Sequence, residues 1–153
     1  MPNWVMNELT CIFQTQEEYN VFKEKINLEG LYNSFIPAPD LEDTHNWNLD
    51  NWGVKWDAVR PTAKYDLLTI TLSFDSPWGC PEHFVRELSK KYPTATFEMV
   101  SGSIENDMHY EFTCEDGEFE ETCSYETFRE AVADGKWGGM EEWADMFEES
   151  EEV

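Results

Sequence analysis

The chain has 153 residues, which suits a single domain, and aromatic residues make up 15% of it, enough large apolar side chains for a core. Thirty-three acidic residues face ten basic ones, which gives a formal net charge of -23 and disfavours direct binding to DNA, RNA or an anionic membrane. The apolar runs are short and the N-terminus lacks the pattern of a secretory leader, so we expect a cytoplasmic protein with no membrane span.

The first half of the chain predicts two strands, one helix and one long loop. Apolar residues alternate along residues 4–13, which predicts a first strand. Helical spacing of apolar residues predicts an amphipathic helix over residues 16–28, with Thr15 as its N-cap. Residues 44–57 hold three tryptophans among polar residues and are interpreted as an ordered loop. The run of β-forming residues at 67–74 is the clearest strand of the chain.

The second half predicts a helix, three strands and a helical end. Pro81 begins the helix, which ends before Pro93. Residues 95–101 and 108–114 predict two strands, and a turn at Glu115-Asp116-Gly117 leads into a short acidic edge strand over residues 118–123. Two short helical stretches and an acidic tail follow.

This order of elements predicts an α+β fold, namely a ferredoxin-like antiparallel sheet with helices on one face and an acidic C-terminal helical extension. We assign residues 1–123 to the ferredoxin-like domain and residues 124–153 to the extension, packed on the same domain. The charge is uneven along the chain: residues 1–97 carry 14 acids and eight bases, whereas residues 98–153 carry 19 acids and two bases. Any specialised role of the acids is therefore expected in the last third.

Several segments of the sequence resemble the YubB-like ferredoxin-like proteins of phages and plasmids. The Asn-Trp-Gly-Val-Lys-Trp-Asp motif of residues 51–57 is the most specific of them. The likeness extends over about residues 1–120 and also involves residues 1–7, 35–39, 74–81 and 88–93. The resemblance implies the fold and a mobile-element setting, but it assigns no catalytic residues. The acidic last third departs from the family pattern.

The tryptophan-rich segment 47–57 is one candidate ligand site. Lys55 and Asp57 place a base and an acid close together, and three indoles offer faces on which a planar ligand stacks. A structural role fits the same residues, with indoles filling the core and Asn side chains satisfying turn backbone. No nucleophile–base pair lies nearby, which favours the structural interpretation. The candidate ligand loop consists of Trp47, Asn51, Trp52, Lys55, Trp56 and Asp57.

The acids of the last third form the other candidate site. Glu118 and Glu120 alternate along the edge strand, about 6.8 Å apart. Glu126, Glu130 and Asp134 recur every fourth residue of a predicted helix, about 6 Å apart. Such rows imitate nucleic-acid phosphates and attract a basic groove, although a solvated surface that binds nothing has the same composition. The predicted partner-binding residues are Glu118, Glu120, Glu126, Glu130, Asp134, Glu141, Glu142 and Asp145, with Trp137 and Trp143 as apolar anchors.

The four cysteines and three histidines give no metal or catalytic signature. No Cys-x-x-Cys pair exists, and the Cys80-x-x-His83 spacing has no matching second half for zinc. Acids around Gly117 lack the spacing of a calcium loop. We therefore predict no metal, no cofactor and no enzymatic activity.

The sequence thus predicts a phage- or plasmid-encoded acidic inhibitor that mimics nucleic acid and blocks the basic groove of a host defence nuclease, a CRISPR effector or a restriction enzyme. It is expected to act in the bacterial cytoplasm as a monomer or dimer. Two alternatives stay open. One is a small-ligand-binding or catalytic domain that uses loop 47–57. The other is a protein-interaction adaptor that docks through its C-terminal helices, with Met140, Trp143 and Phe147 as contacts.

Overall fold

The computed structural model describes residues 3–40, 43–122, 125–139 and residue 143. In this part of the chain, six β-strands form one antiparallel sheet. The strands are Trp4–Ile12 (β1), Val59–Asp66 (β2), Thr69–Pro77 (β3), Thr96–Ser103 (β4), Met108–Glu115 (β5) and Glu118–Glu121 (β6). The helices are Gln16–Lys25 (α1), Leu31–Phe35 (α2), His45–Asn51 (α3), Glu82–Lys91 (α4) and Phe128–Ala133 (α5), followed by the 3-10 turn Lys136–Gly138.

The strands lie in the order β2-β3-β1-β4-β5-β6, so β1 is central and β6 is an edge strand. The predicted α+β class and antiparallel sheet are confirmed. The chain runs from β1 through α1, α2 and α3 to β2 and β3, and then through α4 to β4. Apart from the additional helices α2 and α3, this is the order of a split β-α-β unit. The strands β5 and β6 then extend the sheet beyond β4 as a meander.

The main core lies between the sheet and α1, α2 and α4. Alternate residues of each central strand point into it, because successive side chains of a strand point to opposite faces. In β1 these include Leu9 and Cys11, which are fully buried. The Phe22 ring of α1 stacks on Phe35 of α2 at 4.6 Å between centroids. The other strands contribute Ile70, Leu72, Phe97, Met99, Phe112 and Cys114.

The other side of the sheet, which we call the open face, carries the alternate residues of the same strands, among them Met6, Glu8, Val100 and Gly102. The helix α5 and the 3-10 turn lie here. The indole of Trp137 covers Gly102 so closely that a Cβ built on the glycine would lie 2.7 Å from the ring. The prediction that helices lie on one face therefore holds for the helices of the main core, whereas α5 packs on the opposite face.

Two elements between residues 44 and 66 differ from the sequence prediction. Residues 45–51 form α3 instead of a loop, and the buried Asn48 amide closes the segment by donating to the Lys55 carbonyl at 2.6 Å. The strand β2 was not predicted. It contains Pro61 and a register shift between Val59 and Thr62, and an edge strand tolerates both features because one side of its backbone needs no pairing.

Candidate functional site

Strand register brings acidic residues of four strands onto the open face. One row across the sheet runs from Glu98 of β4 through Thr113 of β5 to Glu120 of β6. In the next row, Glu8 of β1 and Glu111 of β5 flank Val100. Another row pairs Glu115 with Glu118. We call the set the carboxylate rows, and its members are Glu8, Glu98, Glu111, Glu115, Glu118 and Glu120.

The spacing of the carboxylate rows follows from sheet geometry. Neighbouring strands are about 4.8 Å apart, so Glu98 and Glu120, two strands apart, lie about 10 Å from each other. Glu118 and Glu120 are separated by about 6.8 Å along β6. All of these acids except Glu111 are exposed. Glu111 is partly buried and contacts His109 at 3.0 Å and Lys136 at 3.9 Å. Among the exposed members, Glu115 accepts a hydrogen bond from the Thr96 hydroxyl at 3.1 Å, and the others present their side chains to solvent.

The predicted helical row of Glu126, Glu130 and Asp134 is wrong in its geometry. The helix begins later than expected, because the Thr127 hydroxyl caps it by accepting from the Glu130 amide at 3.1 Å. Glu126 therefore precedes the helix, and its own amide donates to the Glu130 carboxylate at 3.0 Å. Asp134 is the C-cap residue and accepts a hydrogen bond from the Tyr125 hydroxyl. Two of the three carboxylates are thus used within the chain.

The two predicted tryptophan anchors pack against the protein itself. Trp137 and Trp143 are both partly buried around Phe128, with ring centroids 6.0 and 5.2 Å from it. The Trp143 indole also donates to the Trp137 carbonyl at 2.6 Å. The other predicted partner-binding acids of this segment, Glu141, Glu142 and Asp145, lie outside the described residues, as do Met140 and Phe147.

Part of the tryptophan-rich segment is structural. Trp52 is only 4% exposed, and its indole donates to the Ile36 carbonyl at 3.0 Å. Trp47 packs edge-on against Trp52 at 5.6 Å, and the Asn51 amide donates to the Trp47 carbonyl at 2.9 Å. Through these contacts the three residues pack against the protein itself, beside α3 and α4.

Asp57 also has a structural role. Its carboxylate accepts from the Tyr32 amide at 2.8 Å and from the Asn33 amide at 3.0 Å. These amides lie in the first turn of α2, whose N-cap is Gly30 and brings no side-chain cap of its own. Asp57, although far from α2 in the sequence, therefore accepts hydrogen bonds from amides that the start of a helix otherwise leaves unpaired.

The remaining two residues of the segment lie in a surface cluster that the sequence did not reveal. Trp56 lies between Trp4 and Trp78, at 6.3 and 5.5 Å between centroids. The Lys55 ammonium lies 5.0 Å from the centre of the Trp78 ring. At the other end, the Arg60 guanidinium lies 5.2 Å from the Trp4 ring. Only the fold joins Trp4 and Trp78 to segment 47–57, so no local spacing could have found them.

The cysteines provide no activated nucleophile within the described residues. Burial raises the pKa of Cys80 to about 12 and that of Cys114 to about 11, and it raises the pKa of Cys11 still further. A thiol is nucleophilic as the thiolate, so these thiols are inert at neutral pH. In the same described ranges, no three His, Cys, Asp or Glu side chains are grouped so that they could hold a metal ion.

No family model matches the chain, and no curated protein matches it either. Among solved structures, the chain is similar to protein api92 from Yersinia pseudotuberculosis, of the family DUF1281, with 18% sequence identity and a TM-score of 0.46. The match covers 56% of this chain and spans 32% of the api92 chain, about a third of its length. The resemblance to YubB-like proteins stays a prediction. No helix in the described part of the chain is long and apolar enough to cross a membrane.

Proposed function

We propose that the protein is a non-enzymatic inhibitor that mimics nucleic acid and occupies the basic groove of a host defence nuclease, such as a CRISPR effector or a restriction enzyme. The observation that supports this proposal is the layout of the carboxylate rows on one face of a rigid sheet. A phage or plasmid origin, and action in the bacterial cytoplasm, belong to the same proposal.

The spacing of these acids suits a groove that binds a charged polymer. Duplex DNA carries one charge per about 1.7 Å of its axis, counted over both strands, and a groove that binds it presents rows of Lys and Arg. Carboxylates about 5 to 10 Å apart on a sheet meet such rows without reorganising, because the backbone ladder holds their Cα atoms in place. The net charge of -23 adds long-range attraction that speeds the encounter with a basic partner.

The sheet, and not α5, is the better surface for this role. Glu130 and Asp134 accept hydrogen bonds from within the C-terminal segment. Glu98, Glu118 and Glu120, by contrast, are exposed and lie on neighbouring rows toward the β6 edge. We therefore expect the partner to contact the β4–β6 side of the open face first.

The experiment compares two triple variants with the same change in charge. The test variant carries Glu98→Lys, Glu118→Lys and Glu120→Lys in the carboxylate rows. The control variant carries Glu24→Lys, Glu29→Lys and Asp50→Lys at exposed positions away from the open face. Each protein and the wild type are used to capture partners from a bacterial lysate at low and high salt. The captured enzyme is then assayed for nucleic-acid binding and cleavage in the presence of each protein.

A basic nucleic-acid enzyme that is released by high salt and by competing DNA supports the proposal. The test variant should then lose inhibition by a factor of ten or more, about 1.4 kcal/mol, while the control variant loses much less. Equal inhibition by all three proteins contradicts the assignment to the carboxylate rows. A partner that stays bound at high salt and is not displaced by DNA contradicts nucleic-acid mimicry and favours the adaptor interpretation.

A further inference from the structure

A shallow cleft of about 380 Å³ lies at the end of the sheet where β3 leads into α4. This volume falls in the range of small-molecule sites, about 300 to 1,000 Å³. Leu49, Val54 and Pro77 give the cleft an apolar wall, and Trp78 and Lys55 complete it. The proposed inhibitory function makes no use of this cleft.

The indole of Trp78 is exposed, and the backbone of this residue adopts a strained conformation. It is 48% exposed, and its backbone has a φ of +62°, a conformation that bulky residues rarely adopt. Such strain persists only where the surroundings enforce it, and it is common at ligand-binding sites. A large apolar ring exposed in this way has lost the hydrophobic stabilisation that burial would give it.

Hydrogen bonds fix the turn that carries this indole. The Trp78 amide donates to the Asn3 carbonyl at 2.8 Å. The Ser76 hydroxyl donates to the Gly79 carbonyl at 2.6 Å, and the buried Asn7 amide donates to that hydroxyl at 2.8 Å. The turn is thereby tied to β1 in the middle of the sheet. The backbone that carries the ring is therefore pre-organised, so a ligand that stacks on the ring orders little of the main chain.

Lys55 supplies a positive charge at the same cleft. Its ammonium lies 5.0 Å from the Trp78 ring centre. Within the described ranges no carboxylate forms an ion pair with it, although the chain contains 33 acidic residues. Its backbone is anchored, because the Lys55 carbonyl accepts from the Asn48 amide at 2.6 Å. An anion in the cleft therefore meets a cation whose charge is not already neutralised.

We propose that this cleft binds a small planar anion, an aromatic ring that bears a phosphate or a carboxylate group. The ring would pack against Trp78 and the apolar wall, and the anionic group would pair with the Lys55 ammonium. A nucleotide and an aromatic carboxylate share this chemistry. Neither the cleft nor its ligand depends on the carboxylate rows, so this inference stands apart from the proposed inhibitory function.

The test titrates the full-length protein with two pairs of probes by calorimetry and by NMR of the tryptophan indole groups. The pairs are adenosine monophosphate against adenosine, and indole-3-acetate against indole. We expect at least one anionic probe to bind and to shift the Trp78 indole signal. Its uncharged counterpart should bind about fivefold more weakly, the upper range for one exposed charge pair.

Three variants show whether the probes bind at the cleft. Lys55→Gln should weaken the anionic probe about fivefold and leave its uncharged counterpart unchanged. Trp78→Gly, which relieves the backbone strain, should abolish binding of both members of the pair. Lys64→Gln removes the same charge from an exposed position of β2 and should change nothing.

The binding results distinguish a phosphate ligand from a carboxylate ligand, and two of them would overturn the proposal. Binding of the nucleotide alone assigns the anion as a phosphate, and binding of indole-3-acetate alone assigns it as a carboxylate. Absence of binding by both anionic probes overturns the proposal. Binding that survives both Lys55→Gln and Trp78→Gly also overturns it, because the probe then sits elsewhere.

Discussion

The indole N–H of Trp137 donates a hydrogen bond to Nδ1 of His109 at 3.1 Å. Nδ1 is therefore the acceptor nitrogen of the imidazole, and Nε2 is the nitrogen that faces the Glu111 carboxylate, at 3.0 Å. His109 is only 4% exposed. A hydrogen bond that is shielded from water thus connects the 3-10 turn that carries Trp137 to β5.

Replacing this tryptophan by phenylalanine tests how much the hydrogen bond contributes. Trp137→Phe keeps a ring over Gly102 but leaves the buried Nδ1 of His109 without its indole donor. We expect the free energy of unfolding to fall by about 1–3 kcal/mol, measured by urea denaturation followed by circular dichroism. Trp78→Phe changes an exposed indole and should stay within about 0.5 kcal/mol of the wild type. Equal stability of the two variants would count against the role of this hydrogen bond.

Close packing of the same indole makes Gly102 intolerant of any side chain. In Gly102→Ala, the new Cβ would lie 2.7 Å from the Trp137 ring, so the ring has to move away from β4. Overpacking of this kind costs about 1–3 kcal/mol. Limited proteolysis after residue 125 should become faster, and the tryptophan emission spectrum should shift.

Gly79→Ala is the matched control for this variant. Nothing lies within 4 Å of a Cβ built at Gly79, and its backbone does not need the left-handed region. This variant should therefore be as stable and as resistant to protease as the wild type. If both alanine variants behave alike, Trp137 does not pack on Gly102 in solution.

Much of the fold follows from local sequence signals. The alternation of apolar residues such as Leu9 and Cys11 correctly predicts β1. The predicted N-cap Thr15 is also confirmed, since its hydroxyl accepts a hydrogen bond from the Glu18 amide at 3.2 Å. The strand β2 escaped prediction because Pro61 interrupts it and its side chains are mostly exposed. The predicted start of α5 is too early because the helical spacing of the acids continues back to Glu126, whereas the helix begins after its N-cap, Thr127.

The candidate surface was predictable only in part. The edge strand with Glu118 and Glu120 was found, because alternation along a single strand is visible in the sequence. Glu8 and Glu98 belong to strands far apart in the chain, and only the pairing of β1 with β4 brings them onto one face. Trp78 likewise joins segment 47–57 only through the tertiary fold. Strand register and long-range packing, and not residue type alone, therefore determine which residues come together at these sites.

The carboxylate of Asp57 offers a direct test of the structural interpretation of the tryptophan-rich segment. Asp57→Ala removes the acceptor for the Tyr32 and Asn33 amides at the start of α2. We expect a loss of about 1–2 kcal/mol in the free energy of unfolding, the usual cost of removing a helix cap. Asp50→Ala, at an exposed position, should cost less than about 0.5 kcal/mol. A variant at position 57 that is as stable as this control would show that the cap contributes nothing.

Stability should fall at alkaline pH because a buried thiol keeps its proton in the folded state. Burial raises the pKa of Cys114 from 9.0 to about 11. An unfolded chain releases this proton near pH 9, so the unfolded state binds fewer protons than the folded state above that pH. The contribution of Cys114 is therefore complete below about pH 9 and is lost as the pH rises toward about 11, by at most about 1.4 kcal/mol per pH unit.

Urea denaturation at several pH values between 8 and 11 measures this effect in the wild type and in Cys114→Ala. The variant starts from a lower stability, because the side chain is fully buried and its removal leaves a small cavity. Its free energy of unfolding should nevertheless decline less steeply with pH. Cys11, whose pKa is raised by its own burial, contributes equally to both proteins. The charge of Cys114 is one cause of the raised pKa of Cys80, so the difference in slope reports Cys114 together with its effect on Cys80. Parallel slopes would mean that Cys114 ionises as readily in the folded protein as in the unfolded chain.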